Sequence, residues 1–185
     1  MFIQTESTPN PSALKFLPGR EVMGEAAGAD FASREAAERS PLARALFETP
    51  EVGRVFFGSD FISVTKTGGD WKHLKPVILG AIMEHFTRGL PLIEHGAEEP
   101  EAAEGGEDSD VVAQIKDLIE TRVRPAVAQD GGDIIFRGFD EGSGVVFLHM
   151  RGSCAGCPSS TMTLKNGIEN MLRHYVPEVS AVEAV

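Results

Sequence analysis

Cysteine is scarce, with two in 185 residues. So few sulfurs exclude a disulfide-stapled scaffold. No apolar run approaches the ~20 residues that a membrane-crossing helix needs. Basic residues are the minority, 17 Lys and Arg against 28 Asp and Glu, for a formal net charge of -11. That imbalance repels nucleic acid and anionic lipid at long range and sets both aside as primary partners. The opening residues, Met1-Phe-Ile-Gln-Thr-Glu6, show neither a basic region before an apolar stretch nor an Arg-rich leader. No secretory or transit signal is read there, so the expected compartment is a bacterial cytoplasm, ahead of a mitochondrial matrix. Apolar substance is plentiful. At 42% hydrophobic residues, packed cores are expected rather than wholesale disorder.

The acids are unevenly placed. From Glu94 to Asp110 the chain carries eight acids, no Lys or Arg, and no aliphatic residue larger than alanine. Such a stretch buries too little surface to offset its ordering entropy, and it reads as a solvated, flexible linker. The rest of the chain holds 20 acids against 17 bases, so the flanking parts are near neutral. The expected organisation is α+β: two small α+β domains, 1–93 and 110–185, joined by an acidic flexible linker at 94–109.

In the first domain, Phe2–Thr5 and Ala13–Leu17 read as short strands around a Thr8-Pro-Asn-Pro11 turn, and Pro18-Gly19 closes the second. Ser40 and Pro41 start a short helix to Phe47. Val52–Phe57 and Phe61–Lys66 form a hairpin around Gly58-Ser59. From Asp70, Trp71, Leu74, Ile78, Ala81 and Phe86 recur at helical spacing up to Arg88, where Gly89 stops the helix. His73 and His85 are isolated histidines on that helix, suited to the surface or the edge of a core. Nothing here points to catalysis.

In the second domain, Asp110 caps a helix with apolar positions Val112, Ile115, Leu118, Ile119 and Val123. Asp130-Gly-Gly-Asp133 is a turn signal. Ile134–Phe139 and Val145–Met150 form a hairpin around Asp140–Gly144. The segment Arg151-Gly-Ser-Cys154-Ala-Gly-Cys157-Pro-Ser-Ser160 leads into a helix with Leu164, Ile168, Met171, Leu172 and Tyr175 on one face. Val179–Val185 supplies a last strand, giving the order α-β-β-α-β.

Cys154 and Cys157, two residues apart between a strand and a helix, suit one metal centre or a mutual disulfide. The positive end of the helix favours the Cys157 thiolate, and Gly152 and Gly156 leave room for a bulky group. Three chemistries fit this spacing. A thioredoxin-like redox pair expects a βαβ unit ahead of the motif, whereas a hairpin precedes it here. Structural zinc needs four ligands from one chain, and the nearest histidines are His149 and His174. An iron–sulfur cluster needs four thiolates, which two chains supply together. That arithmetic gives a cluster bridging a homodimer on short loops, suited to release rather than to electron transfer.

The Asp130–Asp133 turn, the hairpin, the Gly152–Ser160 segment and Thr161–Gly167 together resemble the NifU-like C-terminal domain of Nfu-type iron–sulfur carriers. The resemblance spans most of 110–182. Thr8–Pro11, Leu14–Gly19 and the hairpin from Val55 to Thr65 resemble the Nfu N-terminal domain. The resemblance implies a non-enzymatic carrier that assembles or receives a [4Fe–4S] cluster, one per homodimer, and passes it to apo-proteins. It implies Cys154 and Cys157 as the cluster ligands, an upstream assembly scaffold as donor, and partner recognition by the N-terminal domain. Asp130 and Asp133 are expected as turn and capping residues. The alternative function is a thiol–disulfide oxidoreductase or redox sensor using the same pair.

Overall fold

The computed structural model describes residues 2–24, 28–94, 109–155 and 158–185. The chain divides into two compact units, 1–99 and 100–185, and each contains both sheet and helix. Most of the expected linker lies outside the described residues. Glu94, at its start, donates its amide to the Arg39 carbonyl at 2.8 Å and pairs with Arg44 at 2.7 Å, within the first unit.

The first unit is a five-stranded antiparallel sheet in the order β1-β2-β5-β4-β3. Its strands are β1 (Gln4–Ser7), β2 (Ala13–Leu17), β3 (Ala29–Phe31), β4 (Val52–Phe57) and β5 (Ile62–Lys66). One sheet face buries Phe16, Val55, Phe57, Ile62 and Val64. Helix α1 (Pro41–Phe47) adds Leu42 and Leu46, and helix α2 (Trp71–Arg88) adds Leu74, Ile78 and Ile82. Each such side chain contributes about 1.5–3 kcal/mol by leaving water. Ser40 caps α1 by accepting the Ala43 amide at 3.1 Å. Asp70 caps α2 through the Lys72 amide at 2.9 Å, and Gly89 ends it at φ 66°.

Three details of this unit depart from the sequence expectation. The first strand sits two residues later, because pairing aligns Gln4 with Leu17 and Ser7 with Leu14. Phe61 closes the hairpin turn, its carbonyl accepting the Gly58 amide at 2.9 Å, so β5 begins one residue later. Strand β3 and a 3-10 turn at Ala36–Arg39 had no sequence signal. A three-residue strand is too short to show alternation, and pairing with β4 creates it.

In the second unit a three-stranded sheet in the order β6-β7-β8 is covered on one face by helices. Helix α3 (Asp110–Leu118) begins behind Ser109, which accepts the Val112 amide at 3.4 Å. The cap is therefore Ser109 rather than Asp110. Asp110 occupies the first turn, where a negative charge still complements the helix dipole. A π-helical turn (Ile119–Val123) follows, then α4 (Arg124–Gln129). Pro125 has no amide to donate, and the Arg124 amide reaches five residues back to the Ile119 carbonyl. The helical region thus runs past Val123, where the apolar periodicity ended.

The hairpin β6 (Gly132–Asp140) and β7 (Val145–Gly152) is antiparallel. Helix α5 (Pro158–Tyr175) then returns the chain to β8 (Ala181–Ala184), which pairs parallel to β7. Ile115, Ile119 and Val127 pack against Ile134, Val146, Leu148, Ile168 and Leu172.

His85 is 4% exposed, and its Nε2 has no hydrogen-bond partner among the described residues. Burial pushes the imidazole below its usual value, against an opposing hydrogen bond involving the Leu90 backbone. The folded chain therefore resists a proton that the unfolded chain accepts near pH ~6.5. Stability of the first unit is full above that pH and declines as pH falls toward the depressed folded value. Urea unfolding followed by fluorescence of Trp71, the single tryptophan, should show a midpoint that drops between pH 7.5 and 5.5 (values about one unit either side of ~6.5). His85→Phe should flatten that dependence; an unchanged slope in the variant would reject the assignment.

Candidate functional site

The site forms where the two ends of the hairpin meet. Helix α4 closes at Asp130, whose amide bonds the Val127 carbonyl at 3.1 Å. Gly131 then reverses the chain at φ 80°, a conformation that a Cβ disfavours. Gly132 is already strand, facing Gly152 at the end of β7. The Asp-Gly-Gly-Asp segment is therefore half turn and half strand. Asp130 ends a helix, as a turn residue should, but Asp133 is not a cap.

Asp133 is a strand residue whose side chain is 10% exposed. Its two oxygens accept from Arg124 Nε at 2.8 Å and from the second guanidinium branch at 2.9 Å. Oδ1 also accepts the Ile134 amide at 2.8 Å. Arg124 reaches Glu120, one turn back, at 2.8 and 2.9 Å. The Asp133 hydrogen bonds hold the guanidinium pKa above its ordinary value despite burial. This clamp fixes the π-turn and α4 to the start of β6. Sequence reading missed Arg124. The available signal was an Arg-Pro step in a helical pattern nine residues before an acidic strand start.

Beyond Gly152, which takes φ 65°, the chain turns through Ser153 and Cys154. The Ser153 amide bonds the Gly131 carbonyl at 3.3 Å, and its hydroxyl donates to the Asp130 carbonyl. The Ala155 amide bonds the Gly152 carbonyl at 3.2 Å. Cys154 is 4% exposed and belongs to the apolar cluster of this unit. Its sulfur lies against Gly132, so close that a Cβ there would be 2.7 Å away. Cys157, the second expected ligand, lies outside the described residues, as does Gly156.

Neither histidine considered as a zinc ligand joins Cys154. His149 Nδ1 lies 2.8 Å from the Val185 carbonyl. His174 stands edge-on to Tyr175 near the far end of α5, about 24 Å along the axis from Pro158 at 1.5 Å per residue. Among the described residues, no group of three or more His, Cys, Asp or Glu side chains is placed to hold a metal ion. An antiparallel hairpin does precede the cysteine motif. The motif itself opens the crossover of a β7-α5-β8 unit, a parallel pairing that the sequence did not reveal.

Replacing either partner of the Arg124–Asp133 clamp strands the other, and Asp133 is the more buried of the two. Arg124→Met and Asp133→Ala should each cost about 2 kcal/mol, discounted for the partial exposure of Arg124. Their double variant should cost little more than either alone. Hydrogen exchange at the β6 amides is the measurement; additive losses would show that the pair is not coupled.

Two family models match the chain: "Scaffold protein Nfu/NifU N terminal" over residues 3–89, and "NifU-like domain" over residues 115–183. The human protein named "NFU1 iron-sulfur cluster scaffold homolog, mitochondrial" is 54% identical over 189 residues, covering 100% of this chain and 72% of its own length. "NifU-like protein 4, mitochondrial" of Arabidopsis thaliana is 54% identical, over 99% of this chain and 65% of its own. A Drosophila ananassae relative with the same name as the human one is 48% identical, over 100% of this chain and 64% of its own. The chain thus spans somewhat less than two thirds of the plant and fly relatives. These names overturn the expected bacterial cytoplasm, since all three proteins are called mitochondrial. Address segments are read by receptors and take no part in the packed fold, so the composition of two folded units does not record the compartment.

Proposed function

The chain belongs to the Nfu/NifU family of iron–sulfur cluster scaffolds, and we propose that it carries a [4Fe–4S] cluster as cargo between two copies of itself, on Cys154 and Cys157 of each. A role in iron–sulfur cluster assembly follows from the family. The observation that carries the finer reading is the position of Cys154. It sits in a turn pinned to Asp130 and Gly131, four residues before α5 begins, in a chain with a single further cysteine. Four thiolates are the usual complement of such a cluster. Two chains supply that number, and one does not.

The protein's own groups would do three things. The Asp133–Arg124 clamp holds the base of the loop, so the start of β6 keeps its place as cargo arrives and leaves. Gly152, beside the motif, carries no side chain that an inorganic core would have to displace. Thiolates of an acceptor protein then displace those of the carrier one at a time, each departing ligand being replaced, with no net redox change. In this reading the protein works stoichiometrically and is not an enzyme. An upstream assembly scaffold donates, apo-proteins that need [4Fe–4S] clusters accept, and the first unit recognises partners. The mitochondrion is the corresponding compartment, by analogy with the named relatives.

Anaerobic reconstitution with iron and sulfide tests this. About two irons and two sulfides per chain, in a brown species with the native mass of a dimer, are expected for one shared cluster. Cys154→Ser and Cys157→Ser should each abolish retention while leaving the fold intact. A colourless monomer with a reversible Cys154–Cys157 disulfide would instead favour the thiol–disulfide reading. Full retention of cargo in either variant would remove that residue from the ligand set.

A further inference from the structure

A thiol that binds cargo and hands it on must reach solvent, yet Cys154 is 4% exposed and packs within the apolar cluster of its unit. The space it occupies exists because of Gly132. A Cβ built there would stand 2.7 Å from the Cys154 sulfur and 2.9 Å from the Arg151 carbonyl oxygen. Favourable non-bonded contacts lie near 3.5–4.0 Å. The sulfur therefore fills the volume that any side chain at 132 would need. On the other side stands backbone, which cannot yield as a flexible side chain does.

We propose that Gly132 is a positioning residue that houses the Cys154 thiol in a buried resting position, from which the Gly152–Ala155 turn swings it outward to take cargo. The resting position stands on packing alone; the cargo that draws the sulfur out rests on the carrier reading. The polar ties found across this junction, Ser153 to Asp130 and to Gly131, are local ones. Opening the turn breaks these ties and lifts Cys154 from the apolar cluster, whereas the Arg124–Asp133 hydrogen bonds involve neither Ser153 nor Cys154. Housing the sulfur also serves release. A thiol that gives up cargo returns to an apolar site instead of remaining exposed, which lowers the cost of handing the cargo on.

The test uses the full chain carrying Cys157→Ser, so that Cys154 is the single thiol. Iodoacetamide labelling is timed under native conditions and in urea. The native chain should label at least about tenfold more slowly than the unfolded one. Adding Gly132→Ala should recover most of that factor, with hydrogen exchange at the β6 amides confirming that the unit remains folded. Ser153→Ala, which adds nothing at position 132 and only frees the turn, should accelerate labelling by a few-fold and keeps the test intact if the alanine at 132 prevents folding. A purely structural glycine would lower the melting temperature and leave labelling of the folded state unchanged. Equal labelling of the native and unfolded parent overturns the proposal, as does a set of folded variants that label no faster than the parent. Iron and sulfide uptake by the chain with both cysteines is measured in parallel. A chain that takes up no iron but still protects Cys154 defeats the carrier reading and leaves the housed thiol standing.

Discussion

Asp133 lies nine-tenths buried and accepts from two nitrogens of one guanidinium as well as from a backbone amide. A carboxylate in that position is tolerable only while those donors are present. The rest of the second unit is arranged around keeping them there. The π-turn brings Arg124 into reach, and Pro125 accounts for the local shift from the α pattern. Glu120 holds the far side of the guanidinium. Once Asp133 is fixed, the start of β6 is fixed, and with it the register that sets Gly132 against Gly152. The cysteine turn is built on that register.

A contrast runs through this site. Its base is held by charge-assisted bonds, which are directional and unfavourable to break. Its rim is held by the packing of one sulfur against one glycine and by polar contacts from Ser153. A carrier benefits from such a division. In the proposed carrier role the base survives every cycle of loading, and the rim changes with each one. Burial of Cys154 also bears on the thiol–disulfide alternative, because a sulfur held in an apolar cluster is shielded from exchange partners.

The first unit offers no comparable chemistry among its described residues, and its architecture is that of an antiparallel sheet with one face under two helices. Its least comfortable feature is His85, an imidazole in the core region with an unpaired nitrogen. The sequence showed two histidines on one helix and no way to tell them apart. His73 lies exposed, and His85 is covered by the packing that surrounds the end of α2.

The sequence by itself determined the class of fold, most element positions and the cysteine motif from which the site is read. Helices α1 and α2 follow from local causes, the Ser40 and Asp70 caps and apolar residues at helical spacing. The cysteine pair was legible because thiols are rare and their spacing is local. Tertiary structure alone decided what depends on residues distant in the chain. Arg124 meets Asp133 only after a π-turn and a chain reversal, so neither residue announces the other. Strand β3 exists because β4 lies beside it, and the parallel pairing of β8 depends on where α5 returns the chain. The burial of Cys154 against Gly132 is of the same kind. A motif records which atoms can bind cargo, but how far each lies from solvent is set by packing between segments that the motif does not contain.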